Sequence, residues 1–140
     1  MGEHPHEFLQ RLVEATNAHD LDRLVDCFTD DYVNETPAHP ARGFSGRDRV
    51  RANWQQIFAF VPDVHAEVLA SVVQGNTVWV EQRMHGTRLD GTLHEMTGVI
   101  VFTVRDGRAS SARFFLEPVD DAPGTVAAAV DAQVHAGPFS

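Results

Sequence analysis

The chain has 140 residues, a length that suits one domain, and 43% hydrophobic against 22% charged residues is the balance of a globular protein with a real core. Twenty Asp and Glu against eleven Lys and Arg leave a net charge of −9 with no basic cluster, which excludes a nucleic-acid binder and a reader of anionic membranes. One cysteine, Cys27, rules out an internal disulfide and a thiolate zinc site; the residues from Met1 to Glu7 are too polar for a secretory signal, and no apolar run reaches the ~20 residues of a membrane span, so a cytoplasmic location is expected.

From His6 to Ala18 the apolar residues Phe8, Leu9, Leu12, Val13 and Ala15 recur at three and four, an amphipathic helix. Asp20 is a good N-cap for a second helix through Phe28, with Leu21, Leu24, Val25 and Phe28 as its buried stripe. Thr29 to Asp31 ends it, and Tyr32-Val33 reads as a short extended segment. Pro37, Pro40 and Gly43 make an irregular loop to Gly46, after which Ser45 is placed to cap a third helix carrying Val50, Trp54, Ile57, Phe58 and Val61. Beyond Pro62 the period falls from 3.6 to 2, with Val64, Ala66, Val68, Ala70 and Val72 on one face. Turn signals at Gly75-Asn76, Asp90-Gly91 and Asp106-Gly107 divide the rest into four strands, roughly 64–74, 77–89, 92–105 and 108–117. Helices first and then an antiparallel meander define an α+β class. The chain is read as one domain over 1–140, with its core at about 6–118 and a tail, 119–140, that forms a short helix on Val126, Val130 and Val134 or stays partly disordered.

Two-residue turns fix which residues face each other. Counted from Gly75-Asn76 and Asp90-Gly91, Trp79, Glu81, Arg83 and His85 share a face with Ala66, Val68, Ala70, Val72, Ile100 and Phe102, the face apolar enough to lie under the helices. A polar ladder inside an apolar cup reads as a pocket floor, because unpaired buried charge costs several kcal/mol. Val78, Val80, Gln82, Met84, Leu93, Glu95, Thr97, Val99 and Val101 then fall on the outer face, whose apolar character points to a homodimer. In the last strand a tight turn at Asp106-Gly107 and a one-residue glycine bulge give opposite facings; the bulge is favoured and turns Ala112, Phe114 and Leu116 inward.

The run Asn17-Ala18-His19-Asp20-Leu21 followed by Thr29-Asp30-Asp31-Tyr32-Val33 resembles the opening of the nuclear transport factor 2-like superfamily. Gly46-Arg47-Asp48 and Phe102-Thr103-Val104-Arg105-Asp106-Gly107-Arg108 are similar to its SnoaL-like branch, and the resemblance covers about residues 6 to 118. It implies a cone-shaped barrel of three N-terminal helices packed on a curved antiparallel sheet around a deep pocket, commonly dimeric through the outer sheet face. The superfamily hosts isomerases, cyclases, epoxide hydrolases, dehydratases and plain binding domains. The tyrosine and two aspartates of ketosteroid isomerases fall on Leu12, Ile100 and Thr36, so that activity is not expected. The arginine of limonene-epoxide hydrolases falls on Arg83, but their two aspartates fall on His85 and Phe114.

Glu81, Arg83 and His85 are the candidate catalytic residues. They alternate along one strand at roughly 6–7 Å, where a carboxylate held ionised by Arg and an imidazole can move protons or polarise a carbonyl. The competing reading is a structural Glu81–Arg83 pair beside a hydrogen-bonded His85. Tyr32 and Glu35 stand near the mouth, and Glu35 is adjacent to the position of the superfamily's usual base. Trp54, Phe58 and Trp79 are flat side chains suited to a hydrophobic ligand, and His94 and Met96 contact it across the hairpin. The histidine spacing matches no metal-ligand motif, so neither metal nor cofactor is expected. The reading is a cofactor-independent acid/base enzyme of isomerase, cyclase or hydrolase type acting on a small hydrophobic oxygenated molecule, or alternatively a non-catalytic ligand-binding homodimer.

Overall fold

A computed structural model describes residues 4–135; the first three residues of the polar N-terminus and the last five of the tail lie outside it. Helix α1 (Pro5–Asn17) starts where Pro5 occupies the first turn and the His4 side chain accepts from the His6 N–H. It buries Phe8, Leu9, Leu12, Ala15 and Thr16. His19, at φ +55, turns the chain, and Asp20 caps α2 (Leu21–Asp26) by accepting from the Arg23 N–H. Phe28 is not helical: it opens strand β1 (Phe28–Glu35), which includes the Thr29-Asp30-Asp31 stretch expected to be a helix end. A single 3-10 turn, Pro40–Arg42, leads to β2 (Phe44–Ser45) and α3 (Arg47–Phe60). The cap of α3 is Gly46 at φ +94, not Ser45, which pairs with Val33 instead.

Strands β3 (His65–Gln74), β4 (Thr77–Thr87), β5 (Leu93–Arg105) and β6 (Arg108–Pro118) form the expected meander, and a last helix, α4 (Val126–Val134), follows a seven-residue link. The sheet has six strands in the order β2-β1-β6-β5-β4-β3 and is open. It is not wholly antiparallel, because β1 runs parallel to β6. Gly98, opposite Gln82 and Leu116, has φ +147, and a Cβ there would lie 2.1 Å from the Phe115 carbonyl oxygen. Only glycine lets β5 and β6 approach so closely at this point.

The core fills the space between helices and sheet with Phe8, Leu12, Leu24, Phe28, Tyr32, Val78, Val80, Ile100 and Phe102. Phe8 meets Phe102 edge to face at 5.1 Å. Asn17 ties α1 to the sheet with two bonds, donating to the Ala66 carbonyl at 3.0 Å and accepting from its N–H at 2.7 Å. No helix among the described residues is long and apolar enough to cross a membrane.

The facing expected for β4 is reversed. Val78, Val80, Gln82 and Met84 are buried on the concave side, whereas Trp79 and Glu81 are exposed and Arg83 and His85 half-buried on the convex side. Two slips account for this. The β4–β5 loop holds three residues, Leu89-Asp90-Gly91 with Gly91 at φ +88, between the bonded pair Arg88 and Thr92. Thr87 therefore pairs with Leu93 and Trp79 with Val101, one residue away from the two-residue count. In β3 the turn at Gly75-Asn76 pairs Gln74 with Thr77 and Ala70 with Glu81 as counted, but a bulge at Leu69 then sets Val68 against Gln82. Ala66 accordingly faces in and Ala70 and Val72 face out. A one-residue slip moves every later side chain to the other face. In β6, Asp106 and Gly107 take φ +53 and +79 in a tight turn, and a separate bulge between Ser111 and Ala109 turns Ala112, Phe114 and Leu116 inward.

Candidate functional site

The concave face of the sheet, closed by α1 and α3, surrounds a cavity of about 300 Å³. Helix α1 contributes Leu12, Val13 and Thr16, and α3 contributes Val50, Asn53, Trp54 and Ile57. The floor is Ala66, Met84, Met96, Ile100, Phe102, Phe114 and Leu116, hydrocarbon and thioether, with the Gln82 amide set among them. Period-2 alternation aims Tyr32, Asn34 and Thr36 of β1 and the residue beyond it into the same space, with Arg42 and Phe44 closing that side.

The polar groups are few and neutral. The Tyr32 hydroxyl donates to Asn34 Oδ1 at 2.8 Å, which orients the Asn34 amide and leaves Nδ2 to donate elsewhere. Burial pushes the Tyr32 pKa well above its ordinary value of 10.0, so the phenol stays protonated. Asn34 is 7% exposed and Gln82 6%, and the Gln82 side chain has no hydrogen-bond partner among the described residues. Its amide opens on the cavity, where a ligand oxygen or a water can bond it. Thr16 is already satisfied, donating to the Leu12 carbonyl at 2.8 Å.

His94 is the lining group that titrates near neutrality. It stands opposite Gly86, whose missing side chain leaves room where Val61 packs against the strand. Partial burial, and then the positive charge of Arg88, lower its pKa below the ordinary 6.5. The imidazole is therefore neutral at pH 7 and able to accept a proton. No carboxylate among the described residues lines the cavity. Among the described residues no three His, Cys, Asp or Glu side chains converge to hold a metal.

Of the residues singled out from sequence, Tyr32, Trp54, His94 and Met96 line the cavity. Phe58 stands behind the wall, stacked on His19 at 4.8 Å and 5.5 Å from Trp54. Glu35 points outward, opposite Arg113 on β6. Trp79 lies 41% exposed on the convex face. Glu81, Arg83 and His85 do not enter the cavity, for the register reason given above. Arg83 instead bonds Glu95 across the strand at 3.0 Å and lies 3.5 Å from Glu67, while His85 sits beside His65 with ring centroids 5.7 Å apart. The positions aligned with ketosteroid isomerase chemistry, Leu12, Thr36 and Ile100, do line the cavity, and none carries an acid. Asn34 and Arg42 were not among the expected site residues, and Gln82 was expected on the outer face. The alternation Tyr32, Asn34, Thr36 and the apolar alternation Val78, Val80, Met84 were the signals for Asn34 and Gln82.

A helix-capped, strongly bent open sheet around a cavity of this kind is the nuclear transport factor 2-like fold. Within it, the SnoaL-like domain family matches residues 9–112, and the chain belongs to that family. No curated protein matches it. Among solved structures, wild-type IdmH from Streptomyces antibioticus, a proposed polyketide cyclase, is 27% identical with a TM-score of 0.70, over 81% of this chain and 92% of that one. A loop truncation variant of IdmH is 29% identical, with a TM-score of 0.66 over 80% and 91%. A proposed ketosteroid isomerase from Kribbella flavida DSM 17836, at 18% identity and a TM-score of 0.68 over 89% and 85%, shares the fold.

Proposed function

We propose that the cavity takes a small hydrophobic, oxygenated molecule and that the chain is a cofactor-independent acid/base enzyme of the cyclase or isomerase type. The observation that carries this reading is a neutral imidazole, His94, in the wall of an apolar cavity that also presents buried, underused amides. Asn34 Nδ2 and the Gln82 amide hold a ligand carbonyl, and His94 takes a proton from the carbon beside it. The likeness to IdmH supports a polyketide-like ring as the ligand. A binding-only role is favoured by a different observation, that no carboxylate among the described residues lines the cavity.

Deuterium exchange at the α-carbon of 2-tetralone in D2O, followed by NMR, separates the two. The enzyme reading expects exchange well above the buffer rate, reduced about 100-fold or more in His94→Gln. It also expects the rate to fall as pH drops through a value below 6.5, because protonation removes the base and the His94 pKa is lowered. Binding of the ketone with exchange at the buffer rate would instead establish the binding-only role.

We also propose that the chain pairs as a homodimer through the convex sheet face; the exposure of Val33, Val72, Trp79 and Phe115 supports this. The inward turn of Val78, Val80 and Met84 removes them from that interface.

A further inference from the structure

Among the described residues, charge in the cavity wall is confined to one. Among the lining side chains Arg42 alone is charged at pH 7, since Tyr32 keeps its proton and His94 is neutral. Six other arginines, Arg23, Arg47, Arg51, Arg83, Arg105 and Arg108, each lie within reach of a carboxylate. Arg42, like Arg49, Arg88 and Arg113, has no such partner among the described residues, and of these it is the one that lines the cavity. Its neighbour in the same loop, His39, engages Glu117 at 3.1 Å, so this carboxylate next to the lining residue Leu116 is already occupied. Arg88 brings a second positive charge near His94, with the Asp90 carboxylate beside it. The charge that the cavity lining itself carries is thus positive while the molecule as a whole is strongly negative.

We infer that the ligand is a hydrophobe ending in a carboxylate, its hydrocarbon body in the cavity and its acid group paired with Arg42. This rests on the reading of the cavity as the ligand site and adds the chemical class of the head group. A guanidinium pairs with a carboxylate through two parallel N–H···O bonds, each stronger than a neutral one, and gains nothing comparable from an alcohol. A body of about ten carbons suits a cavity of this size.

Titration calorimetry with decanoate and with 1-decanol, at about pH 7.5, tests it, because decanoate is ionised there and the chains are equal in length. The wild type should bind decanoate at least about tenfold more tightly than the alcohol, and the ratio should shrink between about 20 mM and about 300 mM salt. Arg42→Gln should bind the two alike; the residue is exposed and unpaired, so the variant folds. Equal binding of acid and alcohol by the wild type, or a preference kept in Arg42→Gln, overturns the inference and leaves the cavity as a site for neutral molecules. Failure of both probes to bind overturns the cavity reading together with it.

Discussion

Strand β4 carries two faces of opposite character on consecutive residues. Its convex side reads Trp79, Glu81, Arg83, His85 and its concave side Val78, Val80, Gln82, Met84. The convex set has the residue types of an active site and is a solvated network, with Arg83 shared between Glu95 and Glu67. The concave set looks like plain core, yet it brings one amide, Gln82, to the cavity. Residue chemistry alone therefore misleads about which face works. Burial decides, because a group at an enclosed apolar surface meets ligand atoms with little competition from water.

The contrast is broken most sharply by placing the same carboxylate on neighbouring residues. Val80→Asp puts a charge among Phe8, Leu24 and Ile100 and should cost about 4 kcal/mol or more, so that circular dichroism shows a largely unfolded chain. A well-folded Val80→Asp would mean that the concave side is wetter than the cavity wall described above. Trp79→Asp, one residue earlier, should leave the fold intact and convert the proposed dimer to a monomer in light scattering. An unchanged mass would remove the convex interface. Arg83→Ala should do least. Its partners are partly exposed and screened, so the loss is about 1 kcal/mol or less in a urea melt, with α-proton exchange at the wild-type rate. A large fall in exchange in this variant would return the convex ladder to the chemistry.

Much of the fold was legible because its signals are local. The four long strands lie within two residues of their expected limits, and helices α1 and α3 follow their apolar stripes. Strand β1 was less legible: Asp30 and Asp31 are poor strand formers, and they lie within a strand whose pairing with β6, about eighty residues away, is made on either side of them at Phe28 and at Val33 to Glu35. The site was half legible. Tyr32, Trp54, His94 and Met96 reach the cavity from their elements' own periodicity. Glu81, Arg83, His85 and Trp79 were misplaced by turn length, although the valines at 78 and 80 argued for the opposite facing from hydrophobicity alone.

Sequence by itself determined the α+β class, the meander, the SnoaL-like membership and the acidic balance, since periodicity, turn residues and composition are properties of short stretches of chain. Tertiary structure decided the facing of β4, the pairing of β1 with β6 and the gathering of Asn34, Gln82, His94 and Arg42 about one cavity. The physical reason is that a single extra residue, in the Leu89–Gly91 loop or at Leu69, inverts every side chain beyond it, and whether the strand takes that residue up depends on the packing it must satisfy across the whole sheet.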